Sequence, residues 1–128
     1  MQENDLLQHV QKHGGHDTVD AARESAHAVL RSLGATLDDE EAENLAAQLP
    51  ETFASDLSHA ETADDRSPEA FLNRIEGSSA TDLDAEAEAT AVCSSVAAGV
   101  TDGELSDVLD GLPEGYDEFV QPRNEPDT

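Results

Sequence analysis

The sequence predicts an all-α protein, a single helical-bundle domain built from two pseudo-symmetric four-helix repeats. Three observations predict it. Apolar residues recur at helical spacing, the same pattern returns 63 residues later, and no segment alternates apolar and polar residues long enough for a strand. At 128 residues the chain suits one domain with a modest core spanning 1–128.

The first repeat covers 3–57, with helices near 3–13, 18–33, 39–48 and 51–57. In the second of these, Ala22, Ala26, Val29, Leu30 and Leu33 share one face, and Gly34 stands where a helix stop is expected. Asp38-x-x-Glu41 has capping-box spacing: the first side chain can accept from a free amide of the first turn while the Glu reaches back. Pro50 cannot continue the preceding helix smoothly, so Leu49 should sit at a sharp corner.

The second repeat covers 68–120, with helices near 68–76, 83–98, 102–111 and 114–120. Ala85, Ala89, Val92, Cys93 and Val96 repeat the earlier face, and Gly99 follows. Thr101-x-x-Glu104 supplies the matching capping box, and Leu112-Pro113-Glu114 the matching corner. Between 36–53 and 99–116, five of 18 positions are identical: Asp39/Asp102, Glu41/Glu104, Leu49/Leu112, Pro50/Pro113 and Glu51/Glu114. The leading helices match more loosely, Asp5–Val10 against Ala70–Ile75 at an offset of 65, and Pro68 takes a first helical position. Residues 58–66 read as a polar linker and 121–128 as a frayed, flexible tail. Two tethered bundles are the alternative arrangement, although units of about 60 residues are marginal alone.

These residues resemble a known family. Ala-x-x-x-Ala-x-x-Val-Leu-x-x-Leu-Gly, a capping box and Glu-Ala-Glu-x-Leu-Ala-x-Gln-Leu-Pro-Glu run through Ala22–Phe53. Gly-Glu-Leu-x-Asp-Val-Leu-x-x-Leu-Pro-x-x-Tyr-x-x-Phe closes the second stretch, Ala85–Phe119. Together they are similar to domain-of-unknown-function family 2267 (DUF2267), here as an acidic member of haloarchaeal type. The resemblance implies a compact helical domain of two similar halves. It implies no activity, and no catalytic residues to carry over.

Composition bears on environment. Thirty Asp and Glu face six Lys and Arg, a net charge of −24, and Leu, Ile, Val and Phe together number only 25. Such a balance is also a signature of disorder; the repeated apolar face argues instead for a fold with its carboxylates outside. Asp and Glu number 15 each, Lys12 is the one lysine, and alanine is abundant, as expected in a cytoplasm holding molar salt. At about 1 M salt the Debye length is about 3 Å, so the carboxylates scarcely repel one another. Net charges of −10 over residues 1–63 and −14 over 64–128 leave no basic face, so neither nucleic acid nor an anionic membrane is an expected partner. No run approaches the roughly 20 apolar residues of a membrane span, and Met1–Asp5 has no signal-peptide character; the expected location is cytoplasmic. The single cysteine cannot form an internal disulfide.

No catalytic constellation is visible, no enzyme activity and no cofactor are expected, and no metal site is assigned. The one alternative is a transition-metal site at His9 and His13, four apart on one helix face, with His16 folding back past Gly14-Gly15. His27 and His59 show no partner in the sequence. Cys93 occupies the repeat position of Leu30 and reads as core, not as a nucleophile. The run Asp38–Glu41 lacks the glycine and alternating ligands of a calcium loop and suits a helix N-terminus. Tyr116 and Phe119, near one turn apart, read as core of the last helix. The sequence therefore points to a small non-enzymatic module acting through a protein partner or self-association, with the metal-binding or metal-sensing reading behind it.

Overall fold

The computed structural model of the chain describes residues 3–14, 18–58, 64–65, 67–78, 85–112, 116 and 119. Among these it is all-α, with seven helices and no strand: α1 (Glu3–Gly14), α2 (Val19–Thr36), α3 (Asp39–Ala46), α4 (Glu51–Ser58), α5 (Pro68–Ser78), α6 (Ala85–Gly99) and α7 (Asp102–Gly111). The expected fourth helix of the second repeat, 114–120, lies outside the described residues apart from Tyr116 and Phe119, as do most of the linker and the whole tail.

Five of the starts have a local cause. The Thr18 hydroxyl accepts from the Ala21 amide at 3.1 Å and begins α2. Asp38 Oδ1 accepts from the Glu41 amide at 2.9 Å, and Thr101 Oγ1 from the Glu104 amide at 3.2 Å. Both capping boxes thus form their forward bond. At the corner before α4, the Pro50 carbonyl accepts from the amides of Phe53 and Ala54, while Leu49 turns into the core. Ser67 caps α5 through the Ala70 amide, with Pro68 at the first helical position.

One end departs from expectation. Gly34 does not stop α2, which runs to Thr36. Gly34, Ala35 and Thr36 are all buried, the Thr36 hydroxyl donates to the Ser32 carbonyl at 3.0 Å, and the Leu37 amide donates to Leu33 O. Tertiary packing over that last turn outweighs the roughly 1 kcal/mol that glycine costs inside a helix.

The helices α2 and α6 form the central pair and touch each other. Helix α1 lies on both, most extensively on α6; α5 also lies on both; α4 packs on α2 and α3; and α3 meets α7. The buried apolar residues of all seven helices form one connected cluster, including Leu6 and Val10 of α1, Leu30 and Leu33 of α2, Phe71 and Ile75 of α5, and Val92 and Cys93 of α6. Phe71, Tyr116 and Phe119 pack ring to ring, with centroids 5.2–6.1 Å apart. These two late aromatics are core, as their spacing suggested.

Polar bonds cross from the leading helices to the central pair. Ser95 of α6 gives its one hydroxyl proton to the Ala91 carbonyl at 2.7 Å, so its oxygen accepts from His9 Nδ1 of α1 at 2.8 Å. Arg74 of α5 donates to Ser32 Oγ (3.3 Å) and Thr36 Oγ1 (3.0 Å) of α2, and to the Asp65 carbonyl (3.1 Å). No described helix is long and apolar enough to cross a membrane.

Candidate functional site

Of the three histidines of the metal reading, His9 is the one whose side chain is described. Its Nδ1 is spent on Ser95. The side chain of His13, and His16 and His59 entirely, lie outside the described residues. Among the described residues no group of three or more His, Cys, Asp or Glu is placed to hold a metal ion.

Cys93 is buried, and burial alone pushes its thiol up to about 12. It lines a small apolar crevice with Leu33, Leu45, Val96 and Val108, between α2, α3, α6 and α7. The thiolate, which is the nucleophilic form, is therefore suppressed. Slow reaction with thiol reagents in molar salt is the expected outcome; fast, complete labelling of folded protein would contradict the core position.

The acidic run at the start of α3 meets a second group of acids on α7. Desolvation raises the Glu41 carboxyl above its ordinary value, aided by Asp107, Glu104, Asp38 and Glu40; desolvation and then Asp107 do the same to Glu104. Glu41 Oε1 and Glu104 Oε2 are out of contact with water and accept no hydrogen bond. The Thr101 amide, at the capped start of α7, donates to Gln48 Oε1, just past the C-terminal end of α3, at 3.1 Å. This corner is a repulsive contact between carboxylates.

A different cluster, whose members no local motif joins, has the form of a reactive centre. His27 of α2 bonds through Nδ1 to Asp56 Oδ2 of α4. Because an ionised carboxylate only accepts, Nδ1 carries the proton. The second oxygen of the same carboxylate, Oδ1, lies 3.5 Å from Arg31 Nε, one turn along α2. Phe53 of α4 packs on the imidazole with ring centroids 4.8 Å apart and tilted by 44°. One side chain thus orients both a histidine and an arginine. Asp56 is 14 % exposed, His27 23 % and Arg31 56 %, so the carboxylate is sheltered while the two bases reach outward. On the same face of α2, Arg23 is held by Asp20 at 2.8 Å and by Glu3 at 3.7 Å. The sequence carried one hint of this centre. Arg23, His27 and Arg31 follow one another at four-residue steps. Their acidic partner stands 29 residues after His27 on another helix, beyond the reach of local spacing.

The fold and these contacts define a small all-α protein with an alanine-rich core and a strongly acidic surface. The chain belongs to the DUF2267 family: the family's model, described as an uncharacterized conserved protein, matches residues 3–119. A search of curated proteins gave no match.

Proposed function

We propose that the protein is a non-enzymatic helical module, with a protein-interaction or structural role in a cytoplasm of high salt. The observation that carries this reading is the division of the described residues into a well-buried apolar cluster and a surface rich in carboxylates. Val19 is the one large hydrophobic residue exposed among those described. A partner of the described surface would therefore be met through polar and charged groups, because no apolar patch is offered for docking among the described residues. The net charge of −24 and the repulsive corner between α3 and α7 both call for screening by salt.

The finer architecture is two pseudo-symmetric repeats, of which this chain is a haloarchaeal-type acidic version. The polar cross-links support it. His9 and Arg74 correspond at the offset of 65, Ser95 and Ser32 at the offset of 63, and each leading helix reaches the long helix of the other half. Avoidance of nucleic acid and of anionic membranes rests on the same charge.

Pull-down from native lysate with size-exclusion chromatography, both in molar salt, tests this reading. Recovery of a specific partner or of a defined oligomer is the expected result; strict monomer behaviour with nothing recovered overturns it. Calorimetry with zinc or nickel separates the metal-binding alternative at His9, His13 and His16, which requires binding at micromolar metal.

A further inference from the structure

We propose that His27 is a phosphoryl-acceptor site: Nε2 is the nucleophile, Asp56 holds the opposite nitrogen, and Arg31 receives the phosphoryl oxygens. The donor is of the acyl-phosphate class.

Three features of the geometry lead to this assignment. First, Asp56 fixes the tautomer. In the neutral ring, with the proton on Nδ1, the lone pair is on Nε2. Nε2 makes no bond within the protein and is not among the buried unpartnered atoms, so it faces solvent. Second, the ring does not swing freely: Phe53 packs on it while the carboxylate holds it in place. A nucleophile oriented by a base that is itself fixed is the arrangement covalent catalysis uses. Third, Arg31 is tethered by Nε alone, to the other oxygen of the same carboxylate. Its two terminal amino groups are left without a partner, on the helix face that carries His27, one turn away. A guanidinium with two free donors beside a nucleophilic nitrogen matches the oxygens of a tetrahedral phosphoryl group. Arg23, one turn the other way, already holds Asp20 and Glu3 and is not needed.

The transfer balances without a further reactant. The Nε2 lone pair forms the N–P bond as the P–O bond to the acyl group breaks, and the carboxylate leaves with that electron pair. The positive charge arising on the ring is offset by Asp56, toward which the Nδ1 proton moves. Arg31 neutralises the phosphoryl oxygens that replace solvent. Asp56 is a positioning residue in this scheme, and its effect is exerted through the imidazole. The site is independent of any partner the module binds.

The test uses the intact chain in molar salt with acetyl phosphate as the probe. Peptide mapping and 31P NMR follow an acid-labile, alkali-stable N–P species, and His9, His13, His16 and His59 serve as internal controls. His27 is expected to be labelled about tenfold faster than any of the four, and Arg31→Gln to remove most of that advantage, the worth of one charge-assisted bond. Because Arg31 is the more exposed base, its variant keeps the test valid if Asp56→Asn weakens the fold. In Asp56→Asn the 15N shifts of the imidazole should report loss of the fixed Nδ1–H tautomer along with slower labelling, which a purely structural tether would not predict. Equal labelling of all histidines, no labelling at His27, or a rate indifferent to Arg31→Gln each overturns the proposal.

Discussion

The α3–α7 corner and the outer face of α2 treat the same kind of side chain in opposite ways. At the corner, Glu41, Glu104 and Asp107 converge with Asp38 and Glu40, and desolvation heads the causes that raise the two glutamates. No Lys or Arg lies between Arg31 and Arg66 or between Arg74 and Arg123, so α3, α4, α6 and α7 contain none. On the α2 face, carboxylates meet bases: Asp20 and Glu3 hold Arg23, and Asp56 holds His27 and Arg31. Net charge alone is therefore a poor description of this protein. Four of its six Lys and Arg lie on α1, α2 and α5, and Arg23, Arg31 and Arg74 cross-link helices there.

Removing salt should have the largest effect on this contrast. Dialysis to low ionic strength lengthens the Debye length from about 3 Å at 1 M to about 30 Å at 0.01 M. Circular dichroism is expected to show loss of helix and of cooperative melting, with the repulsive corner opening before the paired face. Hydrogen exchange can order the two events. Equal helicity in both buffers would mean that the unpaired carboxylates cost little.

Asp56→Ala should come next. It leaves His27 without the acceptor of its Nδ1 proton and unties Arg31, at an expected cost of about 2 kcal/mol read from thermal or urea melts in molar salt. Asp20→Ala, on the same face but exposed, should cost well under 1 kcal/mol. Similar losses from the two would erase the distinction between a sheltered carboxylate and a solvated one.

Asp38→Ala should cost about 1 kcal/mol, the usual worth of an N-cap. The neighbouring Glu41→Gln and Glu104→Gln should instead stabilise, by about 0.5 kcal/mol each in low to moderate salt. Glutamine keeps the capping geometry and removes the repelling charge. The sign with pH follows from the raised values. A carboxyl that holds its proton more tightly in the folded chain is a liability above its folded pKa. That liability disappears as pH falls below the unfolded value near 4.5. The gain from these glutamines should accordingly be present at neutral pH and vanish in acid, and a melt series across that range measures it. A destabilising result at pH 7 would show that attraction to the helix N-termini outweighs the mutual repulsion.

Local chemistry and tertiary context contributed unequally to what could be foreseen. Helix starts at Thr18, Asp38, Ser67 and Thr101 depend on a side chain reaching an amide three residues away, so short spacing reveals the kind of contact involved. The stop at Gly34 failed for the same reason in reverse. Whether glycine ends a helix depends on what buries the following turn, and Thr36 is buried by elements distant in sequence. The capping boxes were foreseen as symmetric motifs. That they converge on one corner and strand Glu41 Oε1 and Glu104 Oε2 could not be read from either motif alone.

By itself, then, the sequence determined the helical class, the apolar faces of α2 and α6, the core position of Cys93 and the acidic exterior, because each follows from periodicity or composition within a few turns of chain. Only the tertiary structure decided which polar groups meet. It placed His9 on Ser95, 86 residues away, gave Arg74 to Ser32 and Thr36, and joined His27 and Arg31 to one carboxylate on α4. The physical reason is that hydrophobic patterning specifies a face but not the neighbour across it. Hydrogen bonds and ion pairs act over a few ångströms, and form only after packing has settled which faces touch.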